Sequence, residues 1–155
     1  MTTGELEEEI SIELDLIEST VQELLSLKRD LADREPSVRE KTAAAAFMAQ
    51  FYNGIENILK RITRFKSVPL PKGDSWHIDL FKQFCEPPYD DLPALFDEHL
   101  ALNMSAFRKF RHVVHHGYGF QLKWDHMQEG IAIIEDVFSR FKANLSSYMK
   151  TLKDA

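Results

Sequence analysis

The chain has 155 residues, 44% of them hydrophobic, and a formal net charge of −6. That size fits one domain, residues 1–155, with a core that needs no staples. Its one cysteine, Cys85, excludes an intramolecular disulfide and fits a reducing cytoplasm. The acidic balance argues against a generic nucleic-acid binder, whose affinity comes from neutralising phosphates, and allows RNA binding only locally. No run approaches the roughly 20 apolar residues of a membrane span. The acidic stretch from Met1 to Glu9 lacks the basic and apolar regions of a signal peptide.

Thr2 and Glu5 have capping-box spacing and open a predicted first helix. Ile10, Leu14, Ile17, Val21, Leu24 and Leu31 form its apolar stripe. Leu6, Ile12, Leu16, Leu25 and Leu27 widen that stripe, so other helices or a second subunit must cover it. The helix is also acidic, with Glu5, Glu7, Glu8, Glu9, Glu13, Asp15 and Glu18. Pro36, with Ser37 and Glu40 at capping spacing, starts a second helix. Its stripe is Phe47, Met48, Phe51, Ile55, Ile58, Leu59, Ile62 and Phe65. Lys60, Arg61, Arg64 and Lys66 gather near its C-terminus, where the helix dipole favours cations.

Val68 to Asp74 is a loop by its proline and glycine content. A short helix, about Trp76 to Phe84, ends before Pro87 and Pro88. A fourth helix is expected from Leu92-Pro93, turning Leu95, Phe96, Leu100, Asn103, Phe107, Phe110 and Val114 inward. A turn over Gly117 to Lys123 leads to a fifth helix with an apolar repeat from Trp124 through Phe138 to Leu152. No strand-like alternation runs beyond a few residues. The expected fold is all-α, an antiparallel four-to-five-helix bundle.

The densest chemistry lies from Phe110 to Tyr118, which holds Arg111, His112, His115, His116 and Tyr118. Arginine offers a planar fork of donors suited to phosphate. Histidine exchanges a proton near neutral pH. Arg111 and His116 are five residues apart, about 140° on a continuous helix, so they would not share a face. If the helix ends near His115, with Gly117 in a left-handed stop, the chain can bring His116 and Tyr118 back beside Arg111. An arginine, a histidine and a tyrosine without an obvious metal cage suggest phosphodiester chemistry.

Arg111-x4-His116-x-Tyr118 resembles the Arg-x4-6-His signature of HEPN ribonucleases, in the Arg-x4-His-x-Tyr form of HepT toxins. Three flanking blocks are similar to HepT-like proteins in the same order: Phe51 to Ile62, Ser75 to Leu80, and Tyr118 to Trp124. The resemblance spans roughly Glu5 to Leu152. One departure is His112, where many members carry a small polar residue such as Asn.

The resemblance implies a metal-independent endoribonuclease toxin of a type VII-like toxin–antitoxin pair, without cofactor. Arg111 would hold the phosphate and His116 would act as general acid or base. RNA would be the substrate, and a homodimer would pair two motifs across a cleft. The excess apolar faces of the first and fifth helices agree with such a dimer. The partner would be an MntA-type minimal nucleotidyltransferase antitoxin that attaches AMP to Tyr118, whose hydroxyl should then be exposed. The alternative is a non-catalytic HEPN subunit that binds nucleotide or substrate for that transferase.

His112 and His116 also stand one helical turn apart, as zinc-binding pairs do. A third ligand would have to come from His126 or His99, and no Cys or carboxylate sits at companion spacing. Arg64, Arg108 and Lys109 are solvated charges by default and the first candidates for RNA contacts, with His112 and His115 in support. Glu56 flanks the apolar stripe of the second helix, either as a solvated charge or to orient the arginine or a histidine of the motif. Trp76 and His77 read as packing and capping residues.

Overall fold

The computed structural model describes residues 1–118 and 121–155. Among them are five helices: α1 (Thr3–Leu31), α2 (Val38–Phe65), α3 (Trp76–Lys82), α4 (Glu98–His116) and α5 (Trp124–Lys153). No strand occurs among these residues; an isolated bridge pairs Cys85 with Phe96. The all-α bundle is therefore as expected. Gly119 and Phe120, which fall in the expected turn and in the third family block, lie outside the described residues.

Both long N-terminal helices start as their sequences dictate. The Thr2 side chain accepts from Glu5 N–H while Glu5 reaches back to the Thr2 backbone, and Ser37 and Glu40 repeat the arrangement. Each box satisfies two amide donors that the first turn would otherwise leave unpaired. Arg34 adds a bidentate pair to Glu40, bonding Oε1 at 2.9 Å and Oε2 at 2.7 Å. This holds the Glu40 carboxyl down at about 2.

α2 is the central helix and packs against all four others. Its Met48, Phe51, Ile55, Ile58, Leu59 and Ile62 are buried, as its stripe predicts. The Phe51 ring lies 5.0 Å from Phe107 of α4 and 6.0 Å from Phe138 of α5, which locks three helices at one level. α1 lies close along α2 because Gly54 leaves room for Ile17: a Cβ at Gly54 would sit 2.5 Å from Ile17 Cγ1. Arg61 then ties the two helices, bonding Glu9 at 2.8 Å and Glu13 at 3.1 Å. Glu13 is buried in this contact.

Three expectations need correction. α4 does not start at Leu92-Pro93 but after Asp97, whose carboxylate accepts from Leu100 N–H at 2.8 Å. Leu95 and Phe96 are buried from a non-helical segment instead, both donating to Phe84 C=O. α3 stops at Lys82, short of Phe84. The surplus apolar surface is also smaller than expected. α5 leaves no large hydrophobic side chain exposed among the described residues, while α1 exposes Ile12 and Leu16 and buries Leu6. The apolar residues of α5 are absorbed by α1, α2 and α4, all of which it touches.

Candidate functional site

α4 carries the motif and is seated by Leu100, Met104 and Phe107, all buried. Arg111 follows one turn after Phe107, so it emerges at the edge of that buried face, against α2. Its Nε donates to Asn53 Oδ1 at 2.7 Å. Glu56, one turn along α2 and 3% exposed, places Oε1 4.0 Å from the same Nε. Among the described residues no hydrogen bond takes Nη1 or Nη2 of Arg111, and its side chain is 22% exposed.

Glu56 does not float in solvent, nor does it orient a histidine of the motif. Its Oε2 lies 2.5 Å from Nδ1 of His77, on α3. The Trp76 ring packs on the His77 ring, centroids 3.4 Å apart, and Lys60 Nζ stands 4.5 Å above Trp76. The Tyr52 hydroxyl is buried and has no hydrogen-bond partner among the described residues. Burial, with Glu56 adding, pushes this phenol well above its usual range, and Arg108 and Arg111 pull it part of the way back. Tyr52 is therefore neutral and offers no charge to the site.

Between α3 and α4 runs a groove of about 420 Å³. His77, Arg108, Lys109, Arg111 and His112 line it, with Ser75 and Ile78 on the α3 side. Arg108 also holds its guanidinium carbon 5.8 Å from the centre of the Phe81 ring, a cation–π arrangement. The groove thus gathers three cations and two imidazoles, with one acidic residue, Asp74, at its α3 end, in a protein of negative net charge.

The other motif residues lie elsewhere. α4 continues through His116, one residue past the expected end, so His116 does not swing back beside Arg111. Its ring instead packs along His112, one turn earlier, with centroids 4.6 Å apart. His115 and His116 are both exposed, and Tyr118 is 75% exposed. Arg64 is exposed in the last turn of α2 and does not line the groove. The helix does stop at Gly117, but in an extended conformation, φ −118° and ψ 177°, rather than a left-handed one. Glycine is needed there for room: a Cβ would sit 2.9 Å from Val113 O and 3.1 Å from Gln121 Oε1.

His99 bonds Arg140 at 2.9 Å, and among the described residues no three His, Cys, Asp or Glu side chains group as a metal site needs. No helix of the described residues is long and apolar enough to cross a membrane. Asn53 and His77 enter the site although their spacing alone marks neither. The available signal was polarity at i and i+3: Asn53 and Glu56 interrupt the otherwise apolar stripe of α2.

Comparison with curated proteins and with solved structures found no match. Residues 43–152 match the family described as HepT-like protein. That span runs from the second turn of α2 to the end of α5 and contains every residue of the groove and the motif. The chain belongs to the HepT-like family.

Proposed function

We propose that this chain is a metal-independent endoribonuclease, the toxin of a type VII-like toxin–antitoxin pair. The observation that carries the reading is the state of Arg111: Nε held by Asn53, Glu56 behind it, and both Nη groups free of hydrogen bonds to the described residues, in a groove lined with further cations. A guanidinium fixed through Nε presents its two-pronged end to a phosphate at little reorganisation cost. The reaction is attack of an RNA 2′-hydroxyl on the adjacent phosphorus, with a 2′,3′-cyclic phosphate as product. Arg111 binds the non-bridging oxygens, and His116 supplies proton transfer.

Arg111 and His116 lie about 140° apart around one helix. Both act on one phosphate if a second protomer brings its motif to the same strand, and the active form is therefore a homodimer with a shared cleft. The exposed Ile12 and Leu16 of α1 are apolar surface available for such a contact. The exposed Tyr118 hydroxyl, two residues beyond His116, is the site of AMP transfer by an MntA-type nucleotidyltransferase antitoxin. The added negative charge would compete with RNA phosphate for the motif cations.

The same separation of Arg111 from His116 favours one alternative: a non-catalytic HEPN subunit that presents the groove to nucleotide or substrate of the transferase. Incubation of labelled single-stranded RNA with the purified chain, with and without chelator, decides between them. The nuclease cleaves in both conditions and loses activity in Arg111→Ala; the binding subunit leaves the RNA intact.

A further inference from the structure

The groove contains an imidazole that the motif does not supply. His77 is the second residue of α3, and Nδ1 of its ring meets Glu56 Oε2 at 2.5 Å. A carboxylate buried as deeply as Glu56 requires a partner. With Glu56 ionised, Nδ1–H donates to it and Nε2 is left as the ring's acceptor. Trp76, packed against the ring at an interplanar angle of 33°, removes much of its freedom to turn. A carboxylate that fixes the tautomer and orientation of an imidazole is the arrangement by which general bases are positioned in other enzymes. His77 lines the groove that Arg111 and His112 line, whereas His116 does not.

We infer that His77, oriented by Glu56, is a catalytic residue: the general base that takes the proton of the RNA 2′-hydroxyl while Arg111 holds the phosphate. This rests on the ribonuclease reading and divides its proton transfers between two histidines. The 2′-O–H proton passes to His77 Nε2 as the 2′-oxygen forms its bond to phosphorus. The bond from phosphorus to the 5′-oxygen breaks, and that oxygen takes a proton from the His116 imidazolium of the second protomer. Solvent then returns a proton to His116 and removes one from His77. Glu56 acts through His77 and Arg111 and is a positioning residue.

The experiment uses the full chain and a 5′-fluorescent single-stranded RNA of mixed sequence, under single-turnover conditions. General bases contribute on the order of 100-fold or more to rate, so His77→Ala is expected to cleave at least about 100-fold more slowly than wild type. Added imidazole should restore part of that loss in His77→Ala and none in Arg111→Ala. His77→Gln keeps a donor for Glu56 but cannot carry a proton, and it should be folded and slow; it serves if His77→Ala fails to fold. Wild-type rates in folded His77→Gln or His77→Ala, or a deficit in His77→Ala that imidazole leaves untouched, would make His77 a packing residue and overturn the inference with the nuclease reading intact. Intact RNA with the wild-type chain removes both.

Discussion

The direction of the Arg111 guanidinium is set by a residue 58 positions earlier in the chain: Nε donates to Asn53 Oδ1 across the α2–α4 interface. Hydrogen bonds to charged groups contribute about 1.5–3 kcal/mol. Asn53→Ala should therefore release the arginine and lower RNA cleavage by about one to two orders of magnitude. The same loss should lower the melting temperature by several degrees, at about 2–4 °C per kcal/mol for a chain of this size. Cleavage kinetics with a thermal melt check this; an unchanged rate would mean the guanidinium needs no anchor.

Tyr118 is the exposed hydroxyl next to the motif. Co-expression with a cognate nucleotidyltransferase should add AMP-sized increments to the intact mass of the wild-type chain and none to Tyr118→Phe. Tyr118→Phe alone should cleave RNA at close to the wild-type rate and resist neutralisation. Increments that persist in Tyr118→Phe would place the modification on another residue.

The close approach of α1 to α2 depends on Gly54. Alanine there gains about 1 kcal/mol of helix propensity. It also puts a Cβ 2.5 Å from Ile17 Cγ1 and 3.0 Å from Cδ1, both on a buried, branched side chain. Overpacking of this kind costs about 1–3 kcal/mol, so Gly54→Ala should lower stability on balance. Denaturant titration measures it, and the coupling with Ile17→Ala should be favourable because the clash is removed. Additive losses would show that α1 simply shifts outward.

Glu40 has a folded-state value of about 2 against an ordinary 4.5, lowered by the hydrogen bond from Arg34 and by that from the Ser37 amide. A depressed carboxyl contributes stability that is complete above its unfolded value and is lost as pH falls towards the folded one. The contribution of the α2 cap should therefore fade between pH 4.5 and about 2. Glu40→Gln should flatten the acid side of the stability curve in that window and leave its shape above pH 5 unaltered, about half a unit beyond the upper limit. Parallel wild-type and variant curves through the window would contradict the assignment.

The parts of the fold legible in sequence are those set by local chemistry. Thr2 with Glu5 and Ser37 with Glu40 mark helix starts because a side chain three residues away satisfies the first amides. The start of α4 was hidden because Leu92, Leu95 and Phe96 continue the helical spacing of Leu100 and Phe107 while being buried from a non-helical segment. Period alone does not separate the two, although Asp97 carried the cap. At the site, Arg111 and the exposed Tyr118 were readable from the motif. Asn53 and His77 were not, since their role arises only when α2 and α3 meet α4. His116 was expected beside Arg111 on the assumption of an early helix end, and one further helical residue turns it away.

Cutting of RNA by Arg111 and His116 together is open to direct assay. Its most direct measurement is the cleavage rate of labelled single-stranded RNA by the wild-type chain, Arg111→Ala and His116→Ala, with chelator present and the product ends determined. The expected result is 2′,3′-cyclic phosphate ends from the wild type and a loss of about 100-fold or more in each variant. Wild-type RNA left whole, or His116→Ala cutting as fast as wild type, would contradict it.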